Sequence, residues 1–171
     1  TLYTVPKEQI FDEEVNCEIV CDVPDSVVSF TQFGEYIYLF SAYKAPRYKV
    51  VRTKMDEPDF SRAELIFPPS ELVYRYGSRS KDRIYISALD GGYNRLIEYN
   101  PATGNSHRLD LPENESAYII SASTHHKDIY LRSVSWIHAG TKKVYDHEQS
   151  TFEVLDLEPE GKFDHPEGLT S

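Results

Sequence analysis

The sequence has little of what defines several common protein classes. Its two cysteines, Cys17 and Cys21, are too few for a disulfide framework. On one β-strand they would lie roughly 13 Å apart, beyond the reach of a disulfide bond. No stretch longer than a few residues places apolar residues at i, i+3, i+4 and i+7, so we expect little helix. No apolar run approaches the roughly 18 residues of a membrane span, so we expect no membrane partner.

Basic residues are outnumbered as well. The chain has 28 acidic and 18 basic residues, and its formal net charge is −10. This charge repels nucleic acids and anionic membranes, so we expect no nucleic-acid partner. An acidic surface keeps a protein soluble, and it can also attract cationic peptides. Charge alone therefore does not assign a function.

Aromatic residues are abundant, with thirteen tyrosines and eight phenylalanines, and such residues favour half-buried strands. One aromatic strand signature occurs three times. Its tyrosines, Tyr38, Tyr85 and Tyr130, are 47 and 45 residues apart. A period of about 40 to 50 residues is typical of propeller blades. The sequence therefore indicates an all-β repeat protein.

Each repeat contains four segments with the composition of strands. An apolar segment precedes the aromatic strand, and two further strands follow, separated by turn residues such as those at 100–105 and 146–150. The predicted strands are 27–31, 36–42, 47–54, 62–67, 73–77, 83–89, 95–100, 106–111, 117–122, 128–135, 142–146 and 151–156.

Four strands per unit predict about three four-stranded antiparallel β-propeller blades. Because closed propellers use about four to eight blades, we expect a partial propeller belonging to something larger. Residues 1–26 are predicted to be the end of a preceding blade or an irregular lead-in. The three blades are expected at about 27–69, 70–112 and 113–157, followed by a linker toward a following domain at 158–171.

One junction between strands resembles a known family. The run 38–51 contains an extended strand, a short loop and Ala45-Pro46-Arg47-Tyr48 followed by apolar residues. This pattern resembles the propeller of the prolyl oligopeptidase family of serine peptidases. The turns at 91–92 and 99–104 are similar to those of its later blades, and the segment 134–146 is similar to its last blade. The sequence departs from the pattern at Ser41-Ala42 and at Trp136.

The resemblance covers roughly residues 27 to 157 and implies the last, C-terminal blades of that propeller. It implies an α/β-hydrolase domain and further blades as partners, with short peptides as substrates that the ring admits to the hydrolase. The parent protein would then be a serine peptidase. A second interpretation is a non-enzymatic propeller module that binds a protein or ligand. The sequence after Ser171 discriminates the two, because only the peptidase needs a nucleophile elbow there.

This chain itself offers no catalytic residue. It contains no Gly-x-Ser-x-Gly elbow, so we expect neither a nucleophile nor a triad. The six histidines lack the spacing of zinc ligands, and His125 and His126 would point to opposite sides, so we expect no metal or cofactor. We therefore predict no catalytic, cofactor-binding or metal-binding residue in this chain.

Two groups of residues have a structural and a functional interpretation. The recurring aromatics favour packing between sheets over a binding platform. They are Tyr36, Tyr38, Tyr85, Tyr99, Tyr130 and Trp136. Arg47 and Arg95, near the starts of third strands, are expected to pair with neighbouring carboxylates.

Three blades without a closed ring leave two terminal faces open. We therefore expect that the isolated chain self-associates or pairs with its missing blades, unless residues 1–26 cover one face. The residues expected on the open faces are Val28, Phe30, Tyr38 and Leu39 in the first blade, and Ile129, Leu131, Val144 and Phe152 in the last.

Overall fold

The structure is a computed structural model that describes residues 1–136 and 140–156. In this part of the chain the regular elements are strands and three short 3₁₀ turns, Lys7–Gln9, Val23–Asp25 and Phe60–Arg62. The strands are β1 Leu2–Thr4, β2 Glu18–Cys21, β3 Val27–Phe33, β4 Tyr36–Ser41, β5 Lys49–Lys54, β6 Glu64–Phe67, β7 Val73–Arg79, β8 Ile84–Asp90, β9 Tyr93–Tyr99, β10 Ser106–Arg108, β11 Ser116–Ala122, β12 Ile129–Val134, β13 Thr141–Asp146 and β14 Thr151–Val154.

Twelve of these strands form three four-stranded antiparallel sheets. The first sheet has the order β3-β4-β5-β6, the second β7-β8-β9-β10 and the third β11-β12-β13-β14. Neighbouring strands in the chain are neighbours in the sheet throughout. The predicted fold class, all-β with three four-stranded blades, is therefore confirmed.

The predicted strand boundaries agree with the structure to within three residues. The largest difference is in β10, which ends at Arg108. The Leu109 amide still donates to Leu96 O in the same register, but the Leu111 amide turns back to Leu109 O and leaves the ladder. Strand β5 begins at Lys49 because Tyr48 has a φ of 65°. Such a left-handed residue breaks an extended strand.

The chain divides into two compact units, Thr1–Gly77 and Ser78–Ser171. In the first unit, the short pair β1-β2 packs against one face of the first sheet. Val20 and Cys21 of β2 lie there in one buried cluster with Ile37, Leu39 and Val51. The assignment of residues 1–26 to a preceding blade stays a prediction.

This packing corrects the expected exposure of the first sheet. Leu39 is buried because β2 covers its face, and Tyr38 is buried on the opposite face. Val28 and Phe30, at the inner edge of the same sheet, are half exposed as expected. The lead-in thus covers the centre of that face and leaves its inner edge open.

The second unit has a core shared by two sheets. Tyr85, Leu96, Leu109 and Leu111 pack with residues of the third sheet, namely Ala117, Ile129, Leu131 and Tyr145. The expectation that Ile129 and Leu131 lie on an open face was wrong, since both point into this core. Successive strand residues face opposite sides, so Tyr130 between them is exposed instead.

Buried polar contacts also join the two sheets of the second unit. Asn94 accepts from Ser87 Oγ (2.7 Å), its amide nitrogen donates to Ala117 O, and its backbone N–H donates to Ser116 Oγ (3.1 Å). The predicted boundaries 27–69, 70–112, 113–157 and 158–171 stay predictions, and residues 157–171 lie outside the described part. Within that part, no helix has the length and apolar character needed to cross a membrane.

Candidate functional site

The described histidines do not form a metal centre. His125 and His126 lie exposed in the turn between β11 and β12. His107 and His147 lie elsewhere in the second unit, and His138 and His165 fall outside the described residues. Among residues 1–136 and 140–156, no group of three or more His, Cys, Asp or Glu side chains is placed to hold a metal ion.

Buried ionisable groups instead collect where the second and third sheets meet. We call this set the polar seam: Ser80, Asp82, Arg83, Tyr85, Glu98, Tyr145 and His147. Arg83 Nε donates to Glu98 Oε1 at 3.0 Å, and Glu98 is almost fully buried. His147 Nε2 lies 3.2 Å from Asp82 Oδ2. The turn Ser80–Arg83 of the second sheet is thereby tied to the β13-β14 turn of the third.

Two contacts next to the polar seam involve the turn between β11 and β12. Lys127 forms an ion pair with Glu148, and the Lys81 amide donates to His126 O at 2.9 Å. Both contacts link neighbouring hairpin turns of the second unit. The β11-β12 turn is thereby joined both to the β13-β14 turn and to the turn at residues 80–83.

The polar seam contains two buried tyrosines whose rings contact each other. The rings of Tyr85 and Tyr145 meet edge to face, 6.2 Å between centroids and at 89°. Burial, followed by the nearby Glu98 carboxylate, raises the pKa of Tyr85 far above its usual range. The same causes in the same order raise the pKa of Tyr145 to about 12. Neither hydroxyl is suited to general acid–base catalysis near neutral pH, which needs a pKa close to the working pH.

Two arginines anchor the connections between sheets, as the sequence predicted. Arg95 is buried beneath the ring of Tyr93, 5.0 Å from its centroid. Its Nη1 donates to Pro112 O (3.2 Å) and Glu115 O (2.8 Å), and its Nη2 to Glu113 O (2.6 Å) and Glu113 Oε2 (3.2 Å). The loop between β10 and β11 is thereby clamped to the start of β9.

Arg47 repeats this arrangement in the first unit. Its Nη1 donates to the backbone carbonyl of Glu71 at 3.3 Å and forms an ion pair with the Glu71 carboxylate. Arg47 and Glu71 are exposed, whereas Arg95 is not. Both arginines thus connect the start of the third strand of a sheet to the loop that leads to the next sheet, but only Arg95 is buried.

An aromatic groove lies at one end of the second unit. Tyr93, Tyr118 and Trp136 line it, together with Gly92, Ser116, Val134 and Ser135, and its volume is about 250 Å³. Trp136 is 92% exposed. The prediction that the recurring aromatics are core residues is confirmed for Tyr38, Tyr85 and Tyr99, and it is wrong for Tyr130 and Trp136.

Sequence reasoning missed the polar seam. Ser80, Glu98 and His147 are far apart in the chain and belong to no motif. One local signal was available, because Tyr85 and Glu98 are direct cross-strand partners in the β8-β9 hairpin. A carboxylate directly opposite a tyrosine in a strand pair places the two side chains next to each other on one face of the sheet.

Comparison with known proteins gives matches among solved structures only. No protein-family model matches the chain. No curated protein matches its sequence either.

Several solved peptidases have the same fold as this chain. One is a prolyl endopeptidase studied for the role of inter-domain dynamics in catalysis and specificity (TM-score 0.67, 14% identity, 74% of this chain and 19% of that chain). Another is oligopeptidase B from Trypanosoma brucei with covalently bound antipain (TM-score 0.66, 14% identity, 73% and 19%). A third is prolyl oligopeptidase B from Galerina marginata (TM-score 0.64, 16% identity, 82% and 20%).

The chain spans about a fifth of the length of these proteins. At such low identity the likeness shows the fold alone. The three four-stranded sheets are therefore β-propeller blades that resemble those of prolyl oligopeptidases and oligopeptidase B.

Proposed function

We propose that this chain is the propeller part of a prolyl oligopeptidase-like serine peptidase. In this role it gates the access of short peptides to a hydrolase domain outside the chain. The observation that carries the proposal is the match of these blades to peptidases of that kind, over 72–83% of the chain. The Ala45-Pro46-Arg47-Tyr48 junction, which forms the tight turn before β5, supports it from the sequence side.

The physical role is size exclusion. A narrow ring of blades keeps folded proteins away from the nucleophile, while the hydrolase domain performs acyl transfer on peptides that pass. The blades need rigid contacts with each other for this role. The shared core of the second and third sheets and the polar seam supply such contacts here.

The first test compares the peptidase activity of this chain with that of the longer protein that contains it. The purified chain should not hydrolyse short proline- or basic-residue peptides, since its sequence has no nucleophile elbow. The longer protein that contains it should hydrolyse them and be inactivated by a serine-directed phosphonate. A parent protein that neither cleaves such peptides nor reacts with the phosphonate contradicts the proposal, and a matched empty preparation controls for contaminating peptidases.

The second test addresses gating. In the parent protein, Ile129→Asp places a charge in the shared core of the second and third sheets and should loosen them. We expect the ratio of kcat/KM for a peptide of about 40 residues to that for a short peptide to rise several-fold. His125→Asp, in the exposed turn before β12, is the matched control and should leave the ratio unchanged. An unchanged ratio in a folded, active Ile129→Asp variant contradicts gating by these blades.

The second candidate function is a non-enzymatic propeller module. The aromatic groove with its exposed Trp136 favours it, because exposed aromatics are common at protein interaction sites. The sequence following Ser171 in the parent separates the two candidates. A nucleophile elbow with a later Asp and His supports the peptidase, and further blades or a stop codon support the module.

A further inference from the structure

The polar seam contains buried polar atoms that no described residue satisfies. They are Ser80 Oγ, Asp82 Oδ1, Tyr85 Oη, Glu98 Oε2 and His147 Nδ1. The residues Ser80, Tyr85, Glu98 and His147 are 1%, 0%, 5% and 7% exposed. Bulk solvent therefore does not reach these atoms.

Three of these residues, Ser80, Asp82 and Glu98, lie around Tyr85. Tyr85 and Glu98 are direct partners across the β8-β9 ladder. The Glu98 and Asp82 carboxylates and the Ser80 hydroxyl all lie close enough to Tyr85 to change its pKa, and both carboxylates act on it through their charge without a hydrogen bond to Tyr85 Oη. Asp82 in turn joins His147 through its other carboxylate oxygen. A single small molecule or a short chain of them can therefore contact several of these atoms.

Left without a partner, each atom would lower the folding equilibrium constant by about tenfold. More than 90% of buried polar groups in proteins have a partner. Five exceptions within one cluster would remove most of the stability of a small domain. The cluster therefore needs a bound partner.

The hydrogen-bond donors and acceptors of the cluster determine which kind of partner it can bind. The two carboxylate oxygens require a donor, while the hydroxyls of Ser80 and Tyr85 can donate or accept. An anion is disfavoured by Asp82 and Glu98. A divalent metal is disfavoured because the described residues offer no group of three His, Cys, Asp or Glu ligands. Water both donates and accepts, and one buried water makes about three hydrogen bonds.

We propose that the polar seam is a binding site for ordered water that bridges the second and third sheets. One water serves Ser80, Tyr85 and Glu98. Asp82 Oδ1 and His147 Nδ1 take separate waters, because Nδ1 lies on the side of the imidazole away from the contact between Nε2 and Asp82. In the shared core, apolar side chains of the two sheets touch directly. At the polar seam, water joins the polar side chains of the two sheets. This inference does not depend on the proposed peptidase function.

Removal of the Tyr85 hydroxyl distinguishes a hydrated seam from a dry one. In a hydrated seam, Tyr85→Phe deletes a hydrogen bond to water, so the unfolding equilibrium constant should rise about five- to tenfold. In a dry seam the same change removes an unsatisfied group, so the constant should fall. Tyr3→Phe, at a half-exposed tyrosine of the first unit, is the control and should change nothing. A fall, or no change, for Tyr85→Phe overturns the proposal. Ser80→Ala should have the same sign as Tyr85→Phe, and the opposite sign also overturns it.

Two further measurements identify the bound species in the whole chain. A crystal structure at about 1.5 Å should show solvent density 2.7–3.2 Å from Tyr85 Oη and Glu98 Oε2. A direct protein partner for these atoms, or an empty site, overturns the proposal. Denaturation in equal ionic strengths of sodium, potassium and choline chloride should give equal midpoints. A midpoint that rises specifically with sodium or potassium assigns the site to a cation and overturns water.

Discussion

Arg95 shows how one side chain can organise a connection between blades. Its guanidinium donates to three carbonyls and a carboxylate of the β10-β11 loop while it lies under Tyr93. A planar group with five donors suits such a task, and the point charge of a lysine does not. The contacts of the exposed Arg47, to one carbonyl and one carboxylate, contribute less, because water competes for them.

We expect Arg95→Ala to lower the free energy of unfolding by about 2–4 kcal/mol, since it removes a buried guanidinium together with its hydrogen bonds to the β10-β11 loop. Arg47→Ala, which removes the equivalent exposed clamp, is the matched control and should cost about 0–1 kcal/mol. Urea denaturation at one pH measures both. Equal effects from the two variants would show that burial does not govern these clamps.

Tyr145 predicts how stability depends on alkaline pH. Its pKa is raised by burial, and by Glu98, to about 12 in the folded state, against about 10 in the unfolded chain. Between these values the unfolded state has released the proton and the folded state retains it. The stabilisation is therefore fully present below pH 10 and is lost as the pH rises from 10 to about 12.

Denaturation midpoints measured from pH 9 to 11.5 should fall less steeply for Tyr145→Phe than for the wild type. Tyr3→Phe, at a half-exposed tyrosine of the first unit, should follow the wild type. Tyrosinate absorbance in native and denatured protein gives an independent reading of the delayed titration. If the midpoint of Tyr145→Phe falls with pH as steeply as that of the wild type, other tyrosines cause the loss of stability at alkaline pH.

Among the elements, the short pair β1-β2 has the clearest effect on the rest of the fold. It buries Val20 and Cys21 against the face of the first sheet that carries Leu39 and Val51. A sheet face of this composition needs cover, and this pair supplies it from within the same unit.

Val20→Asp tests this role, because it places a charge in the buried cluster. We expect a loss of about 3 kcal/mol or more in the free energy of unfolding. Ile19→Asp, one residue earlier and half exposed, is the matched control and should stay within about 0.5 kcal/mol. Thermal or urea denaturation checks both. A Val20→Asp variant as stable as wild type would mean that β2 does not cover the first sheet in solution.

The strands could be predicted from the sequence, because the turn residues and the aromatic repeat report local preferences. The exposure of Leu39, Ile129 and Leu131 could not, because the face that is covered depends on which distant element packs there. The left-handed Tyr48 was also beyond prediction, since a bulky residue rarely adopts positive φ. The polar seam joins residues about 67 positions apart, from Ser80 to His147, and only the fold brings them together.

For the whole molecule, association depends on the third sheet. Its face away from the shared core carries the half-exposed residues Tyr118, Ile120 and Tyr130. In a larger propeller a neighbouring blade covers such a face. We therefore predict that the isolated chain self-associates through it.

Sedimentation across a concentration series should show the chain shifting from monomer to larger species. The double change Ile120→Lys with Tyr130→Glu should weaken association about tenfold or more, since it removes apolar area from the contact. Ile19→Lys, at an exposed apolar residue of the first unit, is the control and should not alter association. A monomer at every concentration would contradict the prediction.

The strand order within each sheet also bears on how the protein is made. Every strand pairs with its neighbour in the chain, so each sheet is completed within about 40 residues of sequence. Hairpins close in microseconds, whereas a ribosome needs about 2–8 seconds to add that length of chain. Each sheet can therefore form as it leaves the ribosome, before the next has been synthesised. The blades of this protein are expected to fold one after another from the N-terminal side.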